Sequence, residues 1–111
     1  MSAVTTHVLD TASGRPAVGV LVRLERVTDA APETVGSART DEEGRVSALG
    51  PDQIGAGTYR LVFDTAGYAA AQATTYFFPE VSIAFAVGDS TQHYHVPLLL
   101  SPFAYSTYRG S

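Results

Sequence analysis

Hydrophobic residues recur at every second position along most of this chain. In VGVLVRLERV, Val18, Val20, Val22 and Leu24 share one side while Leu21, Arg23 and Glu25 take the other. TYRLVFD aligns Tyr59, Leu61 and Phe63, and VSIAFAV aligns Val81, Ile83, Phe85 and Val87. A period of two is the mark of a half-buried β-strand, because successive side chains leave a strand on opposite faces. The same reading gives shorter strands at Val4–Asp10, Thr34–Thr40, Gly44–Ala48, Thr91–Leu100 and Tyr105–Arg109. Turn chemistry separates them: ASGRPA, DEEG, GPDQIGAG and the pair PE. Short strands at this spacing predict an all-β sandwich.

Two places depart from the alternation. The alanine-rich stretch Thr65–Ala73 (TAGYAAAQA) predicts one short helix, with Thr65 available as its cap. Pro97 lies inside HVPLLL, and a proline cannot donate to a ladder, so an edge, a bulge or an interruption is expected there.

Composition narrows the picture. A chain of 111 residues is the length of one domain, taken as 1–111. Charged residues make up 16% of it, against roughly a quarter in an average soluble domain, which predicts that some surface is hidden in an oligomer. The net charge of −4 and pI near 5.1 argue against nucleic acid as a partner. The basic residues are all arginine, which removes lysine nucleophiles and Schiff bases. The absence of cysteine removes disulfides and thiolates. No apolar run reaches the ~20 residues of a membrane span. Strand-like residues begin at Val4, which leaves no space for a secretory leader and predicts a cytoplasmic protein.

The candidate chemistry is concentrated in a few histidines and arginines. On the first strand Thr5, His7 and Leu9 lie opposite Val4, Thr6 and Val8; if the valines face the core, His7 faces outward. His93 and His95 share a face and could hold a metal, yet no third ligand stands nearby in the sequence. Arg45 follows the turn TDEEG, where an arginine is usually a solvated side chain, although a guanidinium also binds planar oxyanions. The final residues YRGS bring a phenol, a guanidinium and a hydroxyl together in what composition alone would make a polar tail.

These segments resemble a known family. TTHVLDTASGRPA, TDEEGRV, FFPEVSIAF and HYHVPLLLSPFAYSTYRGS, in that order from Thr5 to Ser111, are similar to the 5-hydroxyisourate hydrolases, the transthyretin-related enzymes of urate degradation. The resemblance implies a transthyretin-like sandwich of two four-stranded sheets with one short helix, assembled as a homotetramer, a dimer of dimers. It implies hydrolysis of 5-hydroxyisourate to 2-oxo-4-hydroxy-4-carboxy-5-ureidoimidazoline in purine breakdown, with no cofactor and no metal. The matching positions assign catalysis to His7, Arg45 and His95, and substrate binding to His7, Arg45, Tyr108, Arg109 and Ser111. His95 is selected over His93 because it stands two residues before the proline. Which histidine takes the proton from water is left open. The alternatives are a non-enzymatic carrier or interaction module on the same sandwich, and a metal-binding protein using His93 and His95.

Overall fold

The alternation becomes two sheets packed face to face in a computed structural model that describes residues 2–111. In chain order the elements are β1 (Val4–Asp10), β2 (Arg15–Pro16), β3 (Leu21–Arg26), β4 (Glu33–Arg39), β5 (Arg45–Val46) and β6 (Gly57–Phe63). They continue with α1 (Thr65–Ala71), β7 (Val81–Val87), β8 (Tyr94–His95), β9 (Leu98–Leu100) and β10 (Tyr105–Thr107). One sheet is antiparallel with the order β4-β3-β6-β7. The other runs β10-β9-β1-β2, with β5 and β8 also paired to β1.

The second sheet is the expected set of four lanes broken into six strands. Pro97 makes one of the breaks. β8 and β9 flank it and pair in parallel with β1 in a common register, Thr5 opposite His95 and Val8 opposite Leu98. The proline is therefore an interruption in an interior lane rather than an edge. β5 and β2 both pair antiparallel with β1, at Thr6–His7 and Leu9–Asp10 respectively. The two residues of β2 fall in a stretch whose glycine and proline had signalled only a turn.

Side chains of both inner faces make the core. Val4 and Val8 from β1, Val22 and Leu24 from β3, Leu61 and Phe63 from β6 and Leu98 from β9 are all essentially inaccessible. Burial of such a side chain is worth roughly 2 kcal/mol, and a one-residue slip of β3 would replace Val22 and Leu24 inside by Arg23 and Glu25. The register is therefore strongly held. On the outer face Glu25 accepts from Arg23 at 2.6 Å and from Arg60 at 3.2 Å, so the strand's acidic side chain is paired where it is covered. Val18 lies outside this set and is 49% exposed, because it precedes β3 and a turn at Gly19 separates them.

The helix also begins differently from the expectation. Asp64 is its cap, accepting from the Gly67 amide at 2.9 Å, while Thr65 is buried and donates its hydroxyl to the Phe78 carbonyl. Asp64→Ala should lower stability by about 1 kcal/mol, the usual loss on removing a cap, and Asp64→Asn should retain most of it. Urea unfolding measures both; an unshifted midpoint in Asp64→Ala would rule out this capping.

Candidate active site

β1 alternates as the valines required. Val4 and Val8 are buried in the core, and Thr5, His7 and Leu9 lie on the opposite, outer face. Pairing then decides what stands beside them. His7 is opposite Arg45 of β5, and Thr5 is opposite His95 of β8. Residues directly opposite on neighbouring strands hold their side chains about 5 Å apart at the Cβ. A histidine, an arginine and a second histidine from three distant parts of the chain thus meet on one face.

The Arg45 end is built by the turn before it. Asp41 Oδ1 accepts the amides of Glu43 at 2.8 Å and Arg45 at 3.0 Å, and the Gly44 amide closes on the Asp41 carbonyl. The Arg45 amide, then that of Glu43, holds the Asp41 carboxyl below the usual range. Gly44 has φ +76°, and an added Cβ would stand 2.4 Å from the Val8 carbonyl oxygen. Only glycine lets this turn press against β1. The Val8 amide donates to the Gly44 carbonyl at 2.7 Å, and His7 Nε2–H donates to the Glu43 carbonyl at 2.8 Å. That last bond assigns the proton of neutral His7 to Nε2 and leaves Nδ1 as an acceptor. Arg45 is half exposed and reaches the Glu43 carboxylate only at 3.9 Å, so its charge is largely uncommitted.

His95 is the more enclosed histidine. Its Nδ1 lies 2.8 Å from Thr5 Oγ1, and the same hydroxyl lies 2.9 Å from His93 Nε2. Burial is the main cause that lowers the His95 pKa below the ordinary histidine range; Arg45, His93 and His7 push in the same direction.

The chain's last residues complete this end. The pairing that sets Thr107 opposite Leu98 continues in step to Gly110 opposite His95, whose carbonyl accepts the Gly110 amide at 2.8 Å. An added Cβ on Gly110 would come 2.5 Å from His95 Cδ2 and 3.3 Å from Pro97 Cγ. The glycine is there for space: the tail passes directly over the imidazole edge. His95 is thereby held on two sides, by Thr5 at Nδ1 and by the tail at Cδ2.

A cavity of about 260 Å³ opens here, walled by Thr5, Arg45, Ser47, His93, His95 and Ser111 among others. His7 stands beside it on the same sheet face without forming a wall. The tail divides: Ser111 faces this cavity, whereas Tyr108 and Arg109 line a second one of about 340 Å³ with Ile83, Phe85 and Tyr94. There the Arg109 guanidinium lies 4.6 Å from the Tyr94 ring centroid and donates to Gln92 Oε1 at 2.8 Å. Within one chain, then, His95, Arg45 and Ser111 converge, His7 adjoins them, and Tyr108 and Arg109 are turned elsewhere.

Sequence reasoning missed Thr5 as a partner of either histidine. Its sharing a face with His7 was legible; its place opposite His95, ninety residues away, was not. His93, passed over in favour of His95, is joined to the site by the same hydroxyl. Among the described residues no group of three or more His, Asp and Glu side chains is set to hold a metal ion, and no helix is long and apolar enough to cross a membrane.

The model of the HIUase/Transthyretin family matches residues 4–110. The chain belongs to that family. It is 46% identical over 113 residues to the 5-hydroxyisourate hydrolase of Mus musculus, an alignment covering 99% of this chain and 96% of the mouse protein. The 5-hydroxyisourate hydrolase of Klebsiella pneumoniae superimposes with a TM-score of 0.87 at 36% identity, covering 97% of this chain and 98% of that one. Sea bream transthyretin in complex with thyroxine superimposes with a TM-score of 0.90 at 31% identity, covering 97% and 94%. A hydrolase and a transthyretin in complex with thyroxine both fit the sandwich, so the fold does not choose between them.

Arg45→Gln should raise the His95 pKa, because it removes a positive charge that opposes protonation while leaving the ring buried. NMR titration of the histidine ring protons measures this; an unmoved or lowered midpoint would show that Arg45 does not reach His95.

Proposed function

We propose that this chain hydrolyses 5-hydroxyisourate, using the cavity between β1, β5, β8 and the tail. The observation that carries the reading is the cross-strand register that stands His7 opposite Arg45 and Thr5 opposite His95. Relatives of nearly full-length similarity that are named as 5-hydroxyisourate hydrolases support it over a carrier role.

The chemistry follows from the groups present. Opening a cyclic amide requires a water aimed at the carbonyl, a base for its proton and a donor for the developing oxyanion. His95 takes the water proton: it walls the cavity, and its lowered pKa keeps the ring neutral near pH 7. As the water oxygen bonds the carbonyl carbon, Arg45 faces the charge that gathers on the carbonyl oxygen. The C–N bond then breaks, and the proton held by His95 passes to the departing nitrogen. His7, with Nε2–H tied to Glu43, turns Nδ1 toward the substrate ring. Ser111 supplies a further polar contact at the cavity wall.

The working unit in this reading is a homotetramer, a dimer of dimers built from the domain spanning 1–111. β7 and β10 are open edges of the two sheets, and open edges invite pairing with a second copy. Exposed aromatics near them, Phe77 at 69% and Phe103 at 80%, also support burial against another subunit. Tyr108 and Arg109, which lie away from the His95 cavity of their own chain, serve substrate binding in such an assembly by meeting a neighbouring subunit's site.

The decisive assay follows freshly prepared 5-hydroxyisourate spectrophotometrically with and without the protein, and turnover is expected to survive EDTA. His95→Ala should lower kcat by roughly 10²–10⁴, the range for losing acid–base help. Gly110→Ala should lower kcat by at least about tenfold by displacing the ring or the tail, with little change in melting temperature. Binding of the substrate without turnover would favour a carrier and overturn the proposal. Light scattering should give four 11.7 kDa subunits; a monomer would remove the proposed assembly.

A further inference from the structure

Thr5 Oγ1 stands within hydrogen-bond distance of two imidazole nitrogens, His93 Nε2 at 2.9 Å and His95 Nδ1 at 2.8 Å. A hydroxyl has one proton to give, and a neutral imidazole has one N–H and one bare nitrogen. The two bonds therefore cannot both be donated by the threonine. At least one histidine must donate to the hydroxyl oxygen, and where only one does, the other receives the hydroxyl proton. The protonation of the two rings is coupled through this one hydroxyl.

Two arrangements satisfy both contacts and also use the hydroxyl proton; a third, with both rings donating to the oxygen, leaves the proton of buried Thr5 without either imidazole as acceptor. In one, His93 Nε2–H donates to Thr5 and Thr5 donates to His95 Nδ1, so the His95 proton sits on Nε2. In the other, His95 Nδ1–H donates to Thr5 and Thr5 donates to His93 Nε2, so His95 Nε2 is bare. A charged His93 carries protons on both nitrogens and excludes the second. A ring that removes a proton from water must be in the second, because Nδ1 is committed to Thr5 and the Cδ2 edge to Gly110.

We infer that Thr5 and His93 are positioning residues that hold the proton of resting His95 on Nδ1 and so keep its Nε2 free as the base. The inference deepens the proposed hydrolase reading and rests on it for its kinetic consequence; the hydrogen-bond chain itself does not. The arrangement suits the exposures: Thr5 is buried beneath the rings, His95 is half-buried at the cavity and His93 is exposed at the rim. Arg45 and His7, the other charged or titratable side chains facing His95, are not hydrogen-bonded to it and do not choose its tautomer.

The test reads the tautomer directly. Long-range ¹H–¹⁵N correlation spectra of the histidine rings, taken at about pH 8.5 where neutral imidazole dominates, should show His95 protonated at Nδ1 and His93 bare at Nε2. Isolated neutral histidine prefers the opposite tautomer, so the signature is specific. In Thr5→Val the His95 proton should move to Nε2 and kcat should fall roughly 10²-fold with KM little changed. Thr5→Ser should restore both to within about threefold. At the exposed rim, His93→Gln keeps an acceptor for the hydroxyl and should stay near wild type. His93→Phe lacks an acceptor and should lose about tenfold or more in kcat, together with the Nδ1 proton on His95. Wild-type His95 protonated at Nε2, or His93→Phe with unaltered tautomer and kcat, would overturn the inference. Wild-type protein that shows the expected tautomers but turns over no substrate would instead overturn the proposed function, leaving the chain of hydrogen bonds supported.

Discussion

The structure depends on β1 being paired along both of its edges. On one side it takes β8 and β9 in parallel, and on the other β5 and β2 antiparallel. Backbone groups in a sheet interior must find partners within the ladder, so the position of β1 dictates the positions of segments up to ninety residues away. Its inner side chains, Val4 and Val8, lie at the floor of the core. Its outer ones, Thr5 and His7, touch the side chains of candidate chemistry. One strand thus serves packing and the site at once, and the pleat keeps the two duties on separate faces.

This division leaves most of the site's side chains outside the core. The core residues are almost wholly inaccessible, whereas Arg45, His93 and the residues of the tail other than Gly110 are exposed and His7 and His95 only half-buried. Their placement depends on backbone features: the turn at Gly44 that closes against Val8, and the passage of Gly110 over His95. In both cases the absence of a side chain permits a close approach that aims a neighbouring one.

Around His95 the electrostatics favour a neutral ring. Burial and the guanidinium of Arg45 both oppose its protonation, while the hydrogen bonds through Thr5 govern which nitrogen carries the remaining proton. A neutral imidazole whose tautomer is set by a neighbour is the recurrent arrangement for histidine in proton transfer.

The sequence by itself determined the sandwich, because a period of two in hydrophobicity specifies strands and their buried faces through local geometry alone. It also determined that His7 would face away from Val4 and Val8, that His93 and His95 would share a face, and that Pro97 would mark an edge, a bulge or an interruption, of which the structure chose the last. The strand bounds moved by only a few residues, and the helix cap by one, since Asp64 and Thr65 compete for that role and tertiary contact drew the Thr65 hydroxyl to Phe78. What only the tertiary structure decided was register between distant segments. Alternation says which way a side chain points and nothing about what stands opposite it. The pairing of Thr5 with His95, the link from His93 through Thr5, and the parting of Ser111 from Tyr108 and Arg109 depend on where the ladders lock, and that is settled by packing the whole core.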